Sequence, residues 1–295
     1  MKKLIITIAL GIMPFILFAQ TGHIMQGIGA TNMSMGGAAT AQPLDISGAL
    51  QWNPAAISVF DSKIFSINAG AFFSSPVLSS TVPTSQGPFS GVTKDDRGVS
   101  IMPALAMVWG KKDSKHTFGV SAFGISGFGV TFPENNLNPI NMPQNEGGFG
   151  RIQSDYQLLQ VGVTYAYKVT NQLSIGIAPT FNYSSLQLAP NPLSSPSQTL
   201  GYPVSDKATA LGFGGQFGIF YNSGEGIKLG ASYKTKQVFS SFDFKNNYLD
   251  GSAAPNVKFK MNYPAILSAG IGYSINKVDI AVDYRFVNYE NTEGF

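Results

Sequence analysis

The chain has no cysteine, so it has neither a disulfide framework nor thiolate chemistry. It is also poor in charge. Only 12% of its residues are Asp, Glu, Lys or Arg, against roughly 25% in ordinary globular domains, so part of the surface faces a solvent other than water. Histidine is nearly absent: His23 and His116 are the only two, and neither has Ser, Asp or other ligand residues at catalytic or metal-binding spacing. No enzyme activity, metal or cofactor is therefore expected. Beyond the N-terminus there is no run of about 18 apolar residues, which argues against a helical membrane protein. The net charge of +3 is small and dispersed, and leaves no footprint for nucleic acid.

What is present begins with an export signal. Lys2 and Lys3 precede an apolar stretch from Leu4 to Phe18, and Ala19 is a cleavage residue, although Leu17 is larger than the small residue preferred two places before it. The remainder alternates. Val278, Ile280, Val282, Tyr284 and Phe286 oppose Asp279, Ala281, Asp283 and Arg285; Leu159, Val161, Val163, Tyr165 and Tyr167 oppose Gln160, Gly162, Thr164, Ala166 and Lys168. Period two over such lengths means strands whose two faces meet different media. The less apolar face is small and neutral with scattered charges, which suits the interior of a barrel better than the outside of a soluble sandwich.

The pattern predicts nine strands, near 63–75, 97–110, 116–131, 153–169, 172–188, 207–222, 226–245, 257–275 and 277–290. Short turns at Lys111–Ser114, Thr170-Asn171, Ser223–Glu225 and Asn276 alternate with long connections near 76–96, 132–152, 189–206 and 246–256. Short periplasmic turns and long outer loops are the habit of outer-membrane barrels. The expected fold class is all-β: an antiparallel transmembrane β-barrel. Nine is an odd count and the ninth strand ends on the outer side, so the sequence reads as part of a longer barrel, with an unusual short protein as the alternative.

Ahead of the strands, residues 20–62 read as a plug. MSMGGAATAQPLDISGALQWNPAAI (33–57) is small and flexible around Gly36 and Gly37, then ends on Asn53-Pro54-Ala55, where proline fixes a turn. GATNMSMGGAATAQPLDISGALQWNPA resembles the N-terminal hatch of the FadL/TodX family of outer-membrane transport proteins for hydrophobic compounds. HTFGVSAFGISGFGVTFPENN, DYQLLQVGVTYAYKVTNQLSIGIAPTFNY and NYPAILSAGIGYSINKVDIAVDYRFVNYENTEGF resemble its third strand, a later hairpin and a later strand pair. The resemblance implies a FadL-like barrel of about fourteen strands, of which 63–295 would supply about nine, with 1–19 as signal peptide and 20–62 as hatch.

It also implies a function: passive passage of hydrophobic molecules such as long-chain fatty acids or hydrocarbons, with lateral exit through a kinked third strand into outer-membrane lipid. The chain would work as a monomer in the outer membrane of a Gram-negative bacterium. Gly36, Gly37, Asn53, Pro54 and Ala55 are the expected gate, anchored near the opening. Gly124, Gly127 and Gly129 are candidates for the kink, since glycine inside a strand marks bulges and bends. Phe123, Phe128, Lys234, Lys236 and Arg285 are candidate ligand contacts. Lys234 and Lys236 would share the polar face of the seventh strand, and Arg285 that of the ninth; any of them could meet a carboxylate, or pair with wall residues such as Asp279 or Asp283. Phe89, Met102, Leu137, Ile140, Met142, Phe149, Leu193 and Leu200 would offer a greasy docking surface on the outer loops. GFGGQFG (212–218) lies on a strand with no helix after it, so it reads as room for close approach, not as a phosphate loop. Two other classes stay open: a secretion or assembly component of the same fold, and an outer-membrane hydrolase, for which no residue speaks.

Overall fold

The alternating segments pair with their neighbours into one antiparallel sheet in a computed structural model that describes residues 22–295. The export signal at 1–19 lies outside the described residues. The strands, in chain order, are β1 (Lys63–Phe73), β2 (Val77–Thr84), β3 (Gly87–Lys94), β4 (Val99–Trp109), β5 (His116–Phe132), β6 (Ile152–Lys168), β7 (Leu173–Ala189) and β8 (Val204–Ser205). They continue with β9 (Ala208–Asn222), β10 (Ile227–Lys234), β11 (Val238–Phe239), β12 (Phe242–Asn247), β13 (Ala253–Phe259), β14 (Ala265–Ile275) and β15 (Val278–Asn288). The main sheet runs β1-β4-β5-β6-β7-β9-β10-β14-β15, with β11 added beside β9. Its end strands β1 and β15 do not pair with each other among the described residues.

The sheet curls, and its two faces differ as the alternation requires. Ile101, Val163, Ile175, Phe213, Ile271 and Val282 all stand exposed on the outer face. In water such a continuous apolar surface would drive aggregation; against lipid it is at home. The inner face carries Thr117, Gln160, Thr164, Ser174, Asn182, Gln216 and Ser232, all buried. What buries them at the short-turn end is residues 22–62.

Those residues form helix α1 (Gly29–Ser34), helix α2 (Ile46–Trp52) and a 3-10 turn (Pro54–Val59). Asp45 caps α2 by accepting from the N–H groups of Ser47 and Gly48, both at 3.2 Å, which satisfies donors that a helix start leaves free. Ile46, Ala49, Leu50, Trp52, Ala55, Ala56 and Ile57 are buried in the same core as Ala104, Ala106, Val108, Ala166 and Phe220 of the wall.

The long-loop end departs from the expected layout. The seventh and eighth segments, 226–245 and 257–275, are not continuous strands. β10 stops at Lys234, and β12 and β13 peel away to form a separate small sheet with β8. The reason is readable in the parity: Ala231 and Tyr233 face outward at odd positions, whereas Val238 is the next exposed apolar residue, at an even one. The connection near 76–96 is likewise no irregular loop but a hairpin, with β2 and β3 paired from Val77↔Lys94 to Thr84↔Gly87.

Candidate functional site

Glycines on the wall let the backbone of 22–62 lie directly against it. A Cβ on Gly176 would sit 2.5 Å from the carbonyl carbon of Pro54 and 2.7 Å from Ala55 Cα. A Cβ on Gly218 would overlap Asn53 Oδ1 and approach Pro54 Cδ to 2.9 Å; on Gly230 it would overlap Thr40 O, and on Gly272 it would lie 3.0 Å from Ala41 O. Asn53 is fully buried at this shelf. Its Nδ2 donates to Thr40 O at 2.8 Å and to Ile219 O of β9 at 3.0 Å, and its Oδ1 accepts from Ala55 N at 3.1 Å. Pro54 opens the 3-10 turn, where its missing N–H is not needed.

A polar clamp on β15 completes the docking. Asp283 Oδ2 accepts from Ala39 N at 3.0 Å, Thr40 N at 2.9 Å, Thr40 Oγ1 at 2.7 Å and Arg285 Nη2 at 2.9 Å. Arg285 also donates to Gly37 O, and its guanidinium lies 3.6 Å from the centroid of the Trp52 ring. Lys234 stands 5.8 Å from that ring, buried, with its Nζ donating to Gln160 Oε1 at 3.1 Å. Gly36 and Gly37 follow α1 at φ +64° and +82°, a left-handed turn that other residues resist, and Gly37 N donates to Asn32 O at 2.8 Å.

The wall itself has a window. β4 pairs with β5 only from Trp109↔Phe118 to Ala104↔Phe123; beyond that, residues 99–103 stay with β1 and part from β5. Two features mark the split. Pro103 has no N–H to offer a continuing ladder, and β5 carries an extra residue, Ile125, between Gly124↔Leu159 and Ser126↔Leu158. The window is closed again farther on, where Asp96 N donates to Thr131 O at 2.7 Å and Arg97 bonds Asp155 at 2.9 Å.

The free edge of β5 within the window is taken by the start of the described chain. Met25 N donates to Ile125 O at 3.0 Å, Gly127 N to His23 O at 3.3 Å and Ser126 Oγ to His23 O at 2.8 Å, with Ile24 opposite Ser126. Two cavities flank this short strand. One, of about 310 Å³, passes through the wall between Ile101, Pro103, Leu159 and Tyr183 on the outer face and Tyr156 and Leu158 within. The other, of about 600 Å³, lies inside against residues 22–30 and Asn68–Phe72.

His23 sits in a box of rings: stacked on Phe295 at 4.7 Å, and edge-on to Phe128, Tyr156, Tyr263 and Tyr289 at 5.8–6.2 Å. Its Nε2 has no hydrogen-bond partner, and burial lowers its pKa from 6.5 to about 4. His23 belongs to the N-terminal segment and not to a spanning strand. Because the docked pKa is depressed, the undocked chain binds the proton more readily, and docking is weakened as pH falls from 6.5 towards 4. At about 1.36 kcal/mol per unit the loss is on the order of 3 kcal/mol, complete near pH 4. Limited proteolysis of residues 22–30 should therefore accelerate across that interval in the native chain and not in His23→Phe; equal pH profiles would refute the assignment.

Other expected residues fall in varied places. Gly127 and Gly129 lie beyond the irregularity in regular pairing with β6, Gly129 against the Arg97 guanidinium. Phe123 is buried on the inner face, and Phe128 stacks on Tyr156 at 4.9 Å. Lys236 does not share a face with Lys234: it follows β10 and is exposed, and Gln237 takes the inward position. Arg285 pairs with wall and plug instead of facing a cavity. Asn53-Pro54-Ala55 anchor on β7 and β9, whereas the residues that meet the window are His23 to Met25, which the sequence did not single out as a gate. Among the expected loop residues, Met102 lies on β4 and lines both cavities, and Phe89 lies on β3. Leu137, Phe149 and Leu193 are exposed on the loops.

An antiparallel sheet, apolar outside, filled inside by its own N-terminal segment and opened by a window, defines a plugged outer-membrane β-barrel. Residues 21–292 match the family described as Outer membrane protein transport protein (OMPP1/FadL/TodX), and the chain belongs to that family. It is a Gram-negative outer-membrane protein for transport of hydrophobic compounds, and its relatives are channels, not enzymes. Its fold is similar to the toluene transporter TbuX of Ralstonia pickettii (21% identity, 89% of this chain and 72% of that one, TM-score 0.66). It is equally similar to the toluene transporter TodX of P. putida (20%, 90% and 71%, TM-score 0.66) and to a Pseudomonas aeruginosa FadL homologue (14%, 91% and 70%, TM-score 0.66). No curated protein sequence matches it.

Proposed function

We propose that the protein passes compact hydrophobic molecules passively from outside, through the inner cavity, and out sideways through the β4–β5 window into the membrane. Residues 20–62 act as the hatch, and His23 to Met25 as its movable edge. One observation carries this reading: β5 exposes an edge inside a membrane wall, and among the described residues only three of the hatch, bordered by cavity on both sides, cover it. The route lies within one chain.

The wall cavity of about 310 Å³ is at the small end of ligand pockets, and two fold relatives are toluene transporters. Both favour a single-ring hydrocarbon over a long-chain fatty acid. Lys234, Lys236 and Arg285, the cations offered for a carboxylate, line neither cavity, and Arg97, which lines the wall cavity, is paired with Asp155, a carboxylate it shares with Lys207.

The absence of cysteine permits a clean test. Ile24 and Ser126 form a non-hydrogen-bonded antiparallel pair, as the bonds from Met25 N and Gly127 N show. Such pairs hold Cα atoms about 4.5 Å apart, within the span of a disulfide. Ile24→Cys with Ser126→Cys should, when oxidised, reduce toluene uptake by outer-membrane vesicles to the background of vesicles lacking the protein. Reduction should restore it. Undiminished uptake through the locked barrel would sink the lateral route, and faster uptake of a long-chain fatty acid than of toluene would overturn the cargo assignment.

A further inference from the structure

We infer that the Met25 side chain is the partition between the two cavities and sets the size of molecule that passes; this rests on the lateral route proposed above. Six residues border both spaces: Met25, Phe72, Met102, Pro103, Gly124 and Gly127. The glycines have no side chain to interpose, and Pro103 is rigid. Phe72 and Met102 belong to β1 and β4, which stay paired along their whole length, and the Met102 methyl group packs over Gly70. Met25 alone is carried by the N-terminal segment.

Its setting is unlike that of its neighbours. Ile24 and Ile28 are buried in the core at 7% and 4% exposure, whereas Met25 is only half-buried and has cavity on either side. Its backbone is held by the bond from Met25 N to Ile125 O until the strand lifts. The side chain is therefore the part free to move. An unbranched thioether with three rotatable bonds adapts its shape at small cost, so it still fills part of the opening when strand 23–25 lifts from β5. A molecule that fits past the side chain once the strand has lifted crosses; a broader one is held back. The partition thus favours flat single rings over fused aromatics.

The test uses the full chain in outer-membrane vesicles, with toluene and pyrene as probes, and heat-modifiable migration to confirm a folded barrel. Met25→Ala should raise uptake of both probes, that of pyrene several-fold more than that of toluene. Met25→Trp should slow both. If neither substitution alters the pyrene-to-toluene ratio while the 24–126 disulfide still blocks uptake, Met25 is not the partition and the lateral route stands. If the disulfide also has no effect, both fall.

Discussion

Replacing Asp283 with alanine is expected to release the N-terminal segment from β15 while leaving the barrel wall folded. One carboxylate oxygen holds four donors there, two of them backbone N–H groups and one the Arg285 guanidinium. Without it, Ala39 N and Thr40 N lose their acceptor in a part-buried site, and Arg285 is left beside Trp52 with carbonyl contacts only. Removing one partner of a buried ion pair costs about 3–5 kcal/mol, because the remaining charge stays desolvated and unpaired. The wall does not share that cost: β14 and β15 pair continuously from Ala265↔Asn288 to Ile275↔Val278 through backbone bonds. Heat-modifiable migration should thus persist, while protease cuts within residues 36–42 appear and single-channel conductance rises. Asp283→Asn keeps an acceptor for Thr40 and loses only the charge, so it should fall between wild type and alanine. A fully protease-resistant Asp283→Ala would show that the shelf glycines hold the segment without help from the clamp.

The sequence carried the wall well and the window poorly, for physical reasons. Alternation at Val278 to Phe286 is a local property with period two, and Val278, Ile280, Val282, Tyr284 and Phe286 do all face outward. The four short turns also fall where small and polar residues interrupt the alternation. The window depends on register instead. Glycine is so frequent in 119–129 that composition could not say where the extra residue falls; pairing with β6 places it at Ile125. His23 lies about a hundred positions from Ser126, and no local pattern announces that pairing. Pro103 was a usable signal, since proline inside a strand argues against pairing on both sides. The break after Lys234 was also visible, as a change in parity between Tyr233 and Val238. Glycines that make room and glycines that merely occur look alike in one dimension. Only the position of the N-terminal segment separates them.

That separation gives the second large expected effect. Gly176→Ala and Gly215→Ala are the same chemical change, on neighbouring strands β7 and β9, and should act in opposite directions. At Gly215 the nearest atom to a new Cβ is Ala178 O at 3.6 Å, an ordinary contact. Loss of unfolded-chain entropy there should stabilise by about 0.4–1 kcal/mol. At Gly176 the new Cβ meets the backbone of Pro54 and Ala55, which cannot rotate away as a side chain would. Pro54 has a fixed φ, and Asn53 is tied to Ile219 on the next strand, so the 3-10 turn must shift as a body. Overpacking of this kind costs about 1–3 kcal/mol, and at this position it also pulls Asn53 from its bonds to Thr40 and β9. Urea titration of the detergent-folded barrel reads both when followed by Trp fluorescence in a Trp109→Phe background, because Trp52 then reports alone and rides on the moving segment. Gly176→Ala should lower the midpoint of the Trp52 transition and Gly215→Ala should not. Equal midpoints would mean that the close approach of segment and wall contributes nothing to holding the plug in place.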